Sequence, residues 1–222
     1  MAYNAGVYDT MLIAGAGRGL IAALSNEAAG RGIKNAAAVI PGRDGRSVNQ
    51  AGAAGGLVVS LDWNPGSPVS ARSLVLAAEN RIGTLGGAII ACSAPDAEES
   101  GDFSPAGIDA LVNSHIKSYM FLARELIRHF QQKDGVLAFV LLETPPRGLL
   151  AAPVFGSFRS LAESLLGYPN TERLKITSFI CDEKIPPPPE EFAAYIFKII
   201  NEDKKIDRVR FRFNKFKRIS RL

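Results

Sequence analysis

The chain of 222 residues carries 26 Lys and Arg against 22 Asp and Glu, a formal charge of +4. Residues 204–222 hold nine of the basic side chains and a single acid, Asp207, whereas the 203 residues before them hold 17 basic and 21 acidic side chains. A mildly acidic body with a basic tail excludes a generally basic protein that coats nucleic acid, and no apolar run of 18 residues exists to span a bilayer.

Along the chain, Met11–Ala14 is a short apolar run that meets a glycine-rich turn, Gly15-Ala-Gly-Arg-Gly19. Behind the turn, Leu20–Ala29 reads as a helix of small residues ending at Gly30. Ala36–Ile40 predicts a second strand, closed by Pro41-Gly42. A glycine-rich stretch with Arg43 and Arg46 leads to a third strand over Leu57–Leu61, which meets Asp62. Helical spacing returns over Pro68–Ile82, and Gly86–Cys92 is a fourth strand.

Ser104 and Pro105 then open a long helix as its cap and first residue. Its apolar stripe runs from Ile108 to Phe130 and includes His115. Tyr119, Met120 and Phe121 stand in succession on it and cannot all face one core, so at least one is expected to meet a partner. A fifth strand over Val136–Leu142, a helix over Phe155–Leu166 and a sixth strand over Leu174–Cys181 follow. Pro186–Pro189 leads into a helix over Glu190–Asn201, and Asp207–Phe213 alternates as a seventh strand. In that strand Arg208, Arg210 and Arg212 share one face, expected to be solvated, opposite Val209, Phe211 and Phe213.

Strands apolar throughout, alternating with helices, predict a parallel sheet covered on both faces: a single-domain, Rossmann-type doubly wound α/β fold of about seven strands over residues 1–222. Residues 203–222 form its basic C-terminal strand and tail. Cys92 and Cys181 sit in apolar runs and read as reduced core thiols. The N-terminus lacks the basic start of a signal peptide. Together these predict a cytoplasmic protein. Two distant histidines, His115 and His129, and no Cys pair predict no metal site.

The turn Ala14-Gly15-Ala-Gly-Arg-Gly19-Leu-Ile21 resembles the Thr-Gly-x-x-x-Gly-x-Gly signature of the short-chain dehydrogenase/reductase family, with Ala14 for the threonine and Ile21 for the last glycine. Leu61-Asp62 resembles the family's strand-end Asp, and Ile82–Ala94 stands in place of its Asn-Asn-Ala-Gly segment. Val112–Leu122 resembles its fourth helix, and Glu190–Ile200 its last. The resemblance covers nearly the whole chain. It implies a dinucleotide held by Gly15, Gly17, Arg18 and Gly19, with Asp62 at the adenine. Arg18 and Arg43, with no acid at the end of the second strand, favour NADP over NAD, although Arg18, Arg43 and Arg46 read equally well as solvated loop charges.

The family's chemistry uses a Tyr as acid/base, a Lys four residues on that lowers its pKa and holds the ribose, a Ser that orients the carbonyl, and an Asn that anchors a water. Here the Tyr-x-x-x-Lys positions read Phe155 and Arg159, the Ser position falls near Thr144, and the Asn position is His115. Only 18 residues separate Phe155 from Leu174, a shorter span than the family's. The sixth strand runs out into Cys181-Asp-Glu-Lys where the family has Pro-Gly. With the proton donor gone, the resemblance implies a non-catalytic, structural or regulatory subunit. Such a subunit would be a homo-oligomer or pair with an active relative through the helices around 105–131 and 155–166. The alternative is an NADP-dependent carbonyl reductase or dehydrogenase with an unorthodox proton donor, His115 or Glu143. His115 reads more simply as a satisfied core histidine. A third reading has the basic tail bind an anionic partner.

Overall fold

In the computed structural model, the described residues are 8–41, 57–95, 101–143, 148–167, 173–202 and 206–213. Seven strands form one parallel sheet in the order β3-β2-β1-β4-β5-β6-β7. They are β1 (Thr10–Gly15), β2 (Lys34–Val39), β3 (Val58–Ser60), β4 (Gly87–Cys92), β5 (Gly135–Leu142), β6 (Leu174–Cys181) and β7 (Val209–Arg212). The strand order reverses beside β1, where the connection from β3 returns to place β4 on β1's other side. A doubly wound sheet opens a crevice at the carboxyl ends of its strands at that reversal. Every residue of β4 and β5 is buried, as unbroken apolar strands in a sheet covered on both faces must be.

The helices form two layers. On one face α1 (Arg18–Gly30) packs with α6 (Pro189–Glu202) over Met11, Ile13 and Ala91. On the other, α2 (Pro68–Ile82), α4 (Ser118–Phe130) and α5 (Ala151–Leu166) cover Leu12, Ala14 and Phe139. Alternate residues of β1 thus serve two cores. Tyr119, Phe139 and Phe158 meet edge to face in the second, at centroid separations of 4.8 and 5.9 Å. Each such pair contributes about 0.5–1.5 kcal/mol beyond its buried area.

Two helices start where short polar residues satisfy orphan N–H groups. Ser67 accepts from the Ser70 N–H at α2, with Pro68 first in the helix. Ser104 accepts from the Gly107 N–H at α3 (Pro105–Leu111), with Pro105 in the same role. The long predicted helix is real, but it is not uniform: α3 and α4 are joined by one wide π-helical turn, Val112–Lys117. The Ser114 hydroxyl donates to the Ala110 carbonyl at 2.9 Å and so competes for an acceptor of the backbone ladder. Helix α5 begins at Ala151, four residues before the apolar spacing shows it. Among the described residues no side chain caps it, and its first residues carry no capping signal to read.

At the far edge, Asp207 accepts from the Ile176 N–H and Thr177 donates to the Val209 carbonyl, which pins β7 to β6. The arginine face of β7 is exposed, as expected, but not free. Arg210 pairs with Glu163 of α5, and Arg212 with Asp182 just past β6. Among the described residues no helix is long and apolar enough to cross a membrane.

Candidate functional site

The crevice at the reversal is built first by glycine. Gly15 (φ +146°) ends β1 and Gly17 (φ +92°) ends the turn, in a region of backbone space that L side chains rarely adopt. The Ala16 N–H donates to the Ala91 carbonyl at 2.9 Å, which pins the turn to the end of β4. A β-carbon on Gly17 would lie 2.5 Å from the β-carbon of Ser93. Both glycines are therefore demanded by packing inside the chain.

Helix α1 springs from this turn without a side-chain cap and without an acid in its first turn. Backbone N–H groups and the positive end of the helix dipole are thus left for an anion such as a phosphate. Gly19 is exposed at the mouth; among the described residues its nearest neighbour beyond the turn is Pro189, at 3.9 Å from where a β-carbon would stand. Arg18 is half-buried beside it. Ile21, in place of the family's last glycine, is fully buried in the core shared by α1 and α6. Asp62 is exposed two residues beyond β3. Its neighbour Trp63 is buried, with Nε1 unpaired among the described residues. Arg43 and Thr144 lie outside the described residues.

The other end of the crevice is built by α5, the wide turn and the ends of β5 and β6. Phe155 is 2% exposed and packs in the core with Phe158 and Val154, offering no proton. Arg159 lies one turn further along α5. Its Nη2 is 2.5 Å from Glu143 Oε2 and 3.8 Å from Asp182 Oδ2. The two carboxylates come from successive strand ends, held in register by the Glu143 N–H donating to the Cys181 carbonyl at 2.8 Å. Asp182 is shared with Arg212.

His115 sits in the wide turn, 2% exposed, with Nδ1 2.8 Å from the Ser114 Oγ. Since the Ser114 hydroxyl hydrogen goes to the Ala110 carbonyl, the pattern assigns the hydrogen of this contact to Nδ1. That leaves a neutral ring whose Nε2 is a bare acceptor. Burial lowers its pKa to about 4, so near neutrality the ring is uncharged and its one N–H is committed to Ser114. Cys92, at the end of β4, is no nucleophile either: burial pushes its thiol up to about 12.

Of the residues singled out in the sequence, the structure places Gly15, Gly17, Arg18 and Gly19 together on one turn, and Phe155, Arg159 and His115 on the helical layer of α4 and α5. The counter-ion Asp182, its pairing with Arg212, and the hydroxyl of Ser114 that fixes the histidine tautomer escaped the sequence reading. Cys181-Asp-Glu-Lys, standing where the family has Pro-Gly, was the signal for the first of them.

A parallel sheet in this strand order, with a glycine turn at its reversal, is a Rossmann-type doubly wound fold, and it matches solved short-chain dehydrogenase/reductase structures. An oxidoreductase of that family from Aeromonas hydrophila subsp. hydrophila superposes with a TM-score of 0.71 at 20% identity, covering 92% of this chain and 99% of that one. A 3-ketoacyl-(acyl-carrier-protein) reductase from Brucella melitensis complexed with NADH gives 0.70 at 15% identity, covering 92% and 96%. A short-chain dehydrogenase/reductase from Serratia marcescens gives 0.66 at 14% identity, covering 92% and 96%. No family model and no curated protein matches the sequence.

The two ends of the crevice differ in how they suit a nicotinamide dinucleotide. The uncapped first turn of α1 and the flush Gly19 suit a pyrophosphate. At the opposite end Phe155 presents a phenyl ring without a hydroxyl and Arg159 is paired with carboxylates.

Proposed function

We propose that this chain is a non-catalytic subunit built on an oxidoreductase fold. The observation that carries the reading is Phe155. The position of the proton donor is filled by a buried phenyl ring in apolar packing, which carries no hydroxyl. The substitute donor considered from the sequence, His115, is neutral and tied to Ser114. The other, Glu143, is engaged by Arg159.

The reading includes assembly through α4 and α5. A groove of about 320 Å³ runs between these helices, lined by Met120, Ala123, Ile127, Leu161 and Leu165 and rimmed by Arg124 and Arg128. Of the three residues in succession, Tyr119 is buried, Phe121 is half-buried and Met120 stands half out in solvent at the groove. Beside it α5 exposes Ala152, Gly156, Ser160 and Ser164 at four-residue spacing, which lets a second helix approach closely. The partner is a second copy of the chain or a catalytic relative with the same fold.

The test is turnover. Purified protein with NADPH or NADH and a panel of ketones, aldehydes and 3-ketoacyl thioesters should show no oxidation of the reduced nucleotide above the no-enzyme rate. Turnover abolished by His115→Ala would overturn the reading and establish the reductase in its place.

A further inference from the structure

We infer that Glu143 and Asp182 hold Arg159 away from any ligand, so that the nicotinamide half of a dinucleotide gains no affinity in this crevice. The inference rests on the assignment of Phe155 and Arg159 to the Tyr and Lys positions made above, and it gives that altered site a ligand preference.

The argument is one of charge and geometry. A cation four residues beyond the acid/base position can hold a ribose only if its donors point into the crevice and its charge is uncompensated. Arg159 fails the second, because two carboxylates compensate its charge. One nitrogen donates to Glu143 at 2.5 Å, and the same nitrogen lies 3.8 Å from Asp182. Both carboxylates project from the carboxyl ends of β5 and β6, on the side where the crevice opens. Arg212 reaches across from β7 to Asp182, so the four side chains form a neutral cluster.

A ribose hydroxyl arriving there meets a guanidinium whose Nη2 is bonded to Glu143 and whose charge is compensated by Glu143 and Asp182. To draw on the charge of Arg159 it must compete with two carboxylates that already compensate it. The cluster is not a structural keystone. The side chains of Arg159 and Glu143 are about one-third exposed (35% and 33%), and pairs of this exposure are worth little to the fold. Neutralising the carboxylates therefore frees the cation without collapsing the site.

The test compares two ligands that share the phosphate end and differ in the rest: NADPH, and 2′,5′-ADP, which lacks the nicotinamide riboside. Isothermal titration of the wild-type chain should find NADPH binding no more than threefold tighter than 2′,5′-ADP. In the Glu143→Gln, Asp182→Asn double variant NADPH should bind at least tenfold tighter than in wild type, with 2′,5′-ADP unchanged. Adding Arg159→Gln to the double variant should remove the gain.

A wild-type preference for NADPH of tenfold or more overturns the inference. So does a double variant that binds NADPH no better than wild type does. If the double variant does not fold, Glu143→Gln alone decides in the same way, since it leaves Asp182 paired with Arg212. The two readings fail separately: tight NADPH binding without turnover sinks only this inference, and wild-type turnover sinks the non-catalytic reading.

Discussion

A β-carbon on Gly15 would stand 1.9 Å from the carbonyl oxygen of Ala91, the same oxygen that accepts the Ala16 N–H. The end of β1 is pressed onto the backbone of β4, and neither partner can yield without breaking the ladder between them. Gly15→Ala is therefore expected to cost about 3 kcal/mol or more, from overpacking and a disallowed φ together. Gly17→Ala meets a different obstacle, the β-carbon of Ser93 at 2.5 Å. That obstacle is a side chain. Ser93→Gly should recover much of the loss from Gly17→Ala and none of the loss from Gly15→Ala. Urea unfolding of the single and double variants measures both couplings.

Gly156 presents the opposite case. It lies within α5 and is exposed, and nothing stands within 4 Å of the position of an added β-carbon. Inside one subunit, Gly156→Ala should stabilise the helix by up to about 1 kcal/mol. If α5 packs against a partner, a larger residue is what the interface rejects. Gly156→Leu is expected to shift a dimer toward monomer by tenfold or more in dissociation constant while leaving the subunit folded. Sedimentation at several protein concentrations reads the shift. Unchanged association would remove α5 from the interface.

The fold was legible because its signals are local. Apolar runs marked six strands and alternation the seventh, and Ser104-Pro105 and Pro68 marked helix starts to the residue. The site was legible only in part. The pair Phe155 and Arg159 is written in a spacing of four residues, and both lie on α5, one turn apart. The fate of Arg159 depends on Glu143 and Asp182, 16 and 23 positions away and brought together only by the parallel register of β5 and β6. The wide turn at Val112–Lys117 was hidden for another reason: its apolar stripe continues nearly in phase through the extra residue, and only the hydroxyl of Ser114 betrays it.

Phe155→Tyr would restore the family's residue in name. In this chain the new hydroxyl enters a site 2% exposed, among the apolar residues that line the core of α5. Without a partner it should cost about 1–3 kcal/mol of stability, with no turnover of NADPH gained, since Arg159 remains paired and cannot lower the phenol's pKa. Thermal melting and the carbonyl panel together check both halves. A variant that is as stable as wild type and turns over would show that the crevice had kept its catalytic geometry.

His115 gives the chain a pH dependence whose direction follows from its burial. Its pKa is about 4 in the folded protein and about 6.5 when exposed, so between those values the unfolded chain binds the extra proton and stability rises with pH. The contribution is fully present above about pH 6.5. Linkage gives a loss of about 2 kcal/mol by pH 5 and about 3 kcal/mol by pH 4. His129, also lowered by burial but pulled back by Glu79, adds to the loss in the same direction. Denaturant midpoints of wild type and His115→Gln between pH 7.5 and 4 isolate the first histidine. Wild type should lose about 3 kcal/mol more than the variant over this range. Parallel curves would mean that His115 is solvated in solution and free to carry a proton, which would return it to the crevice as an acid.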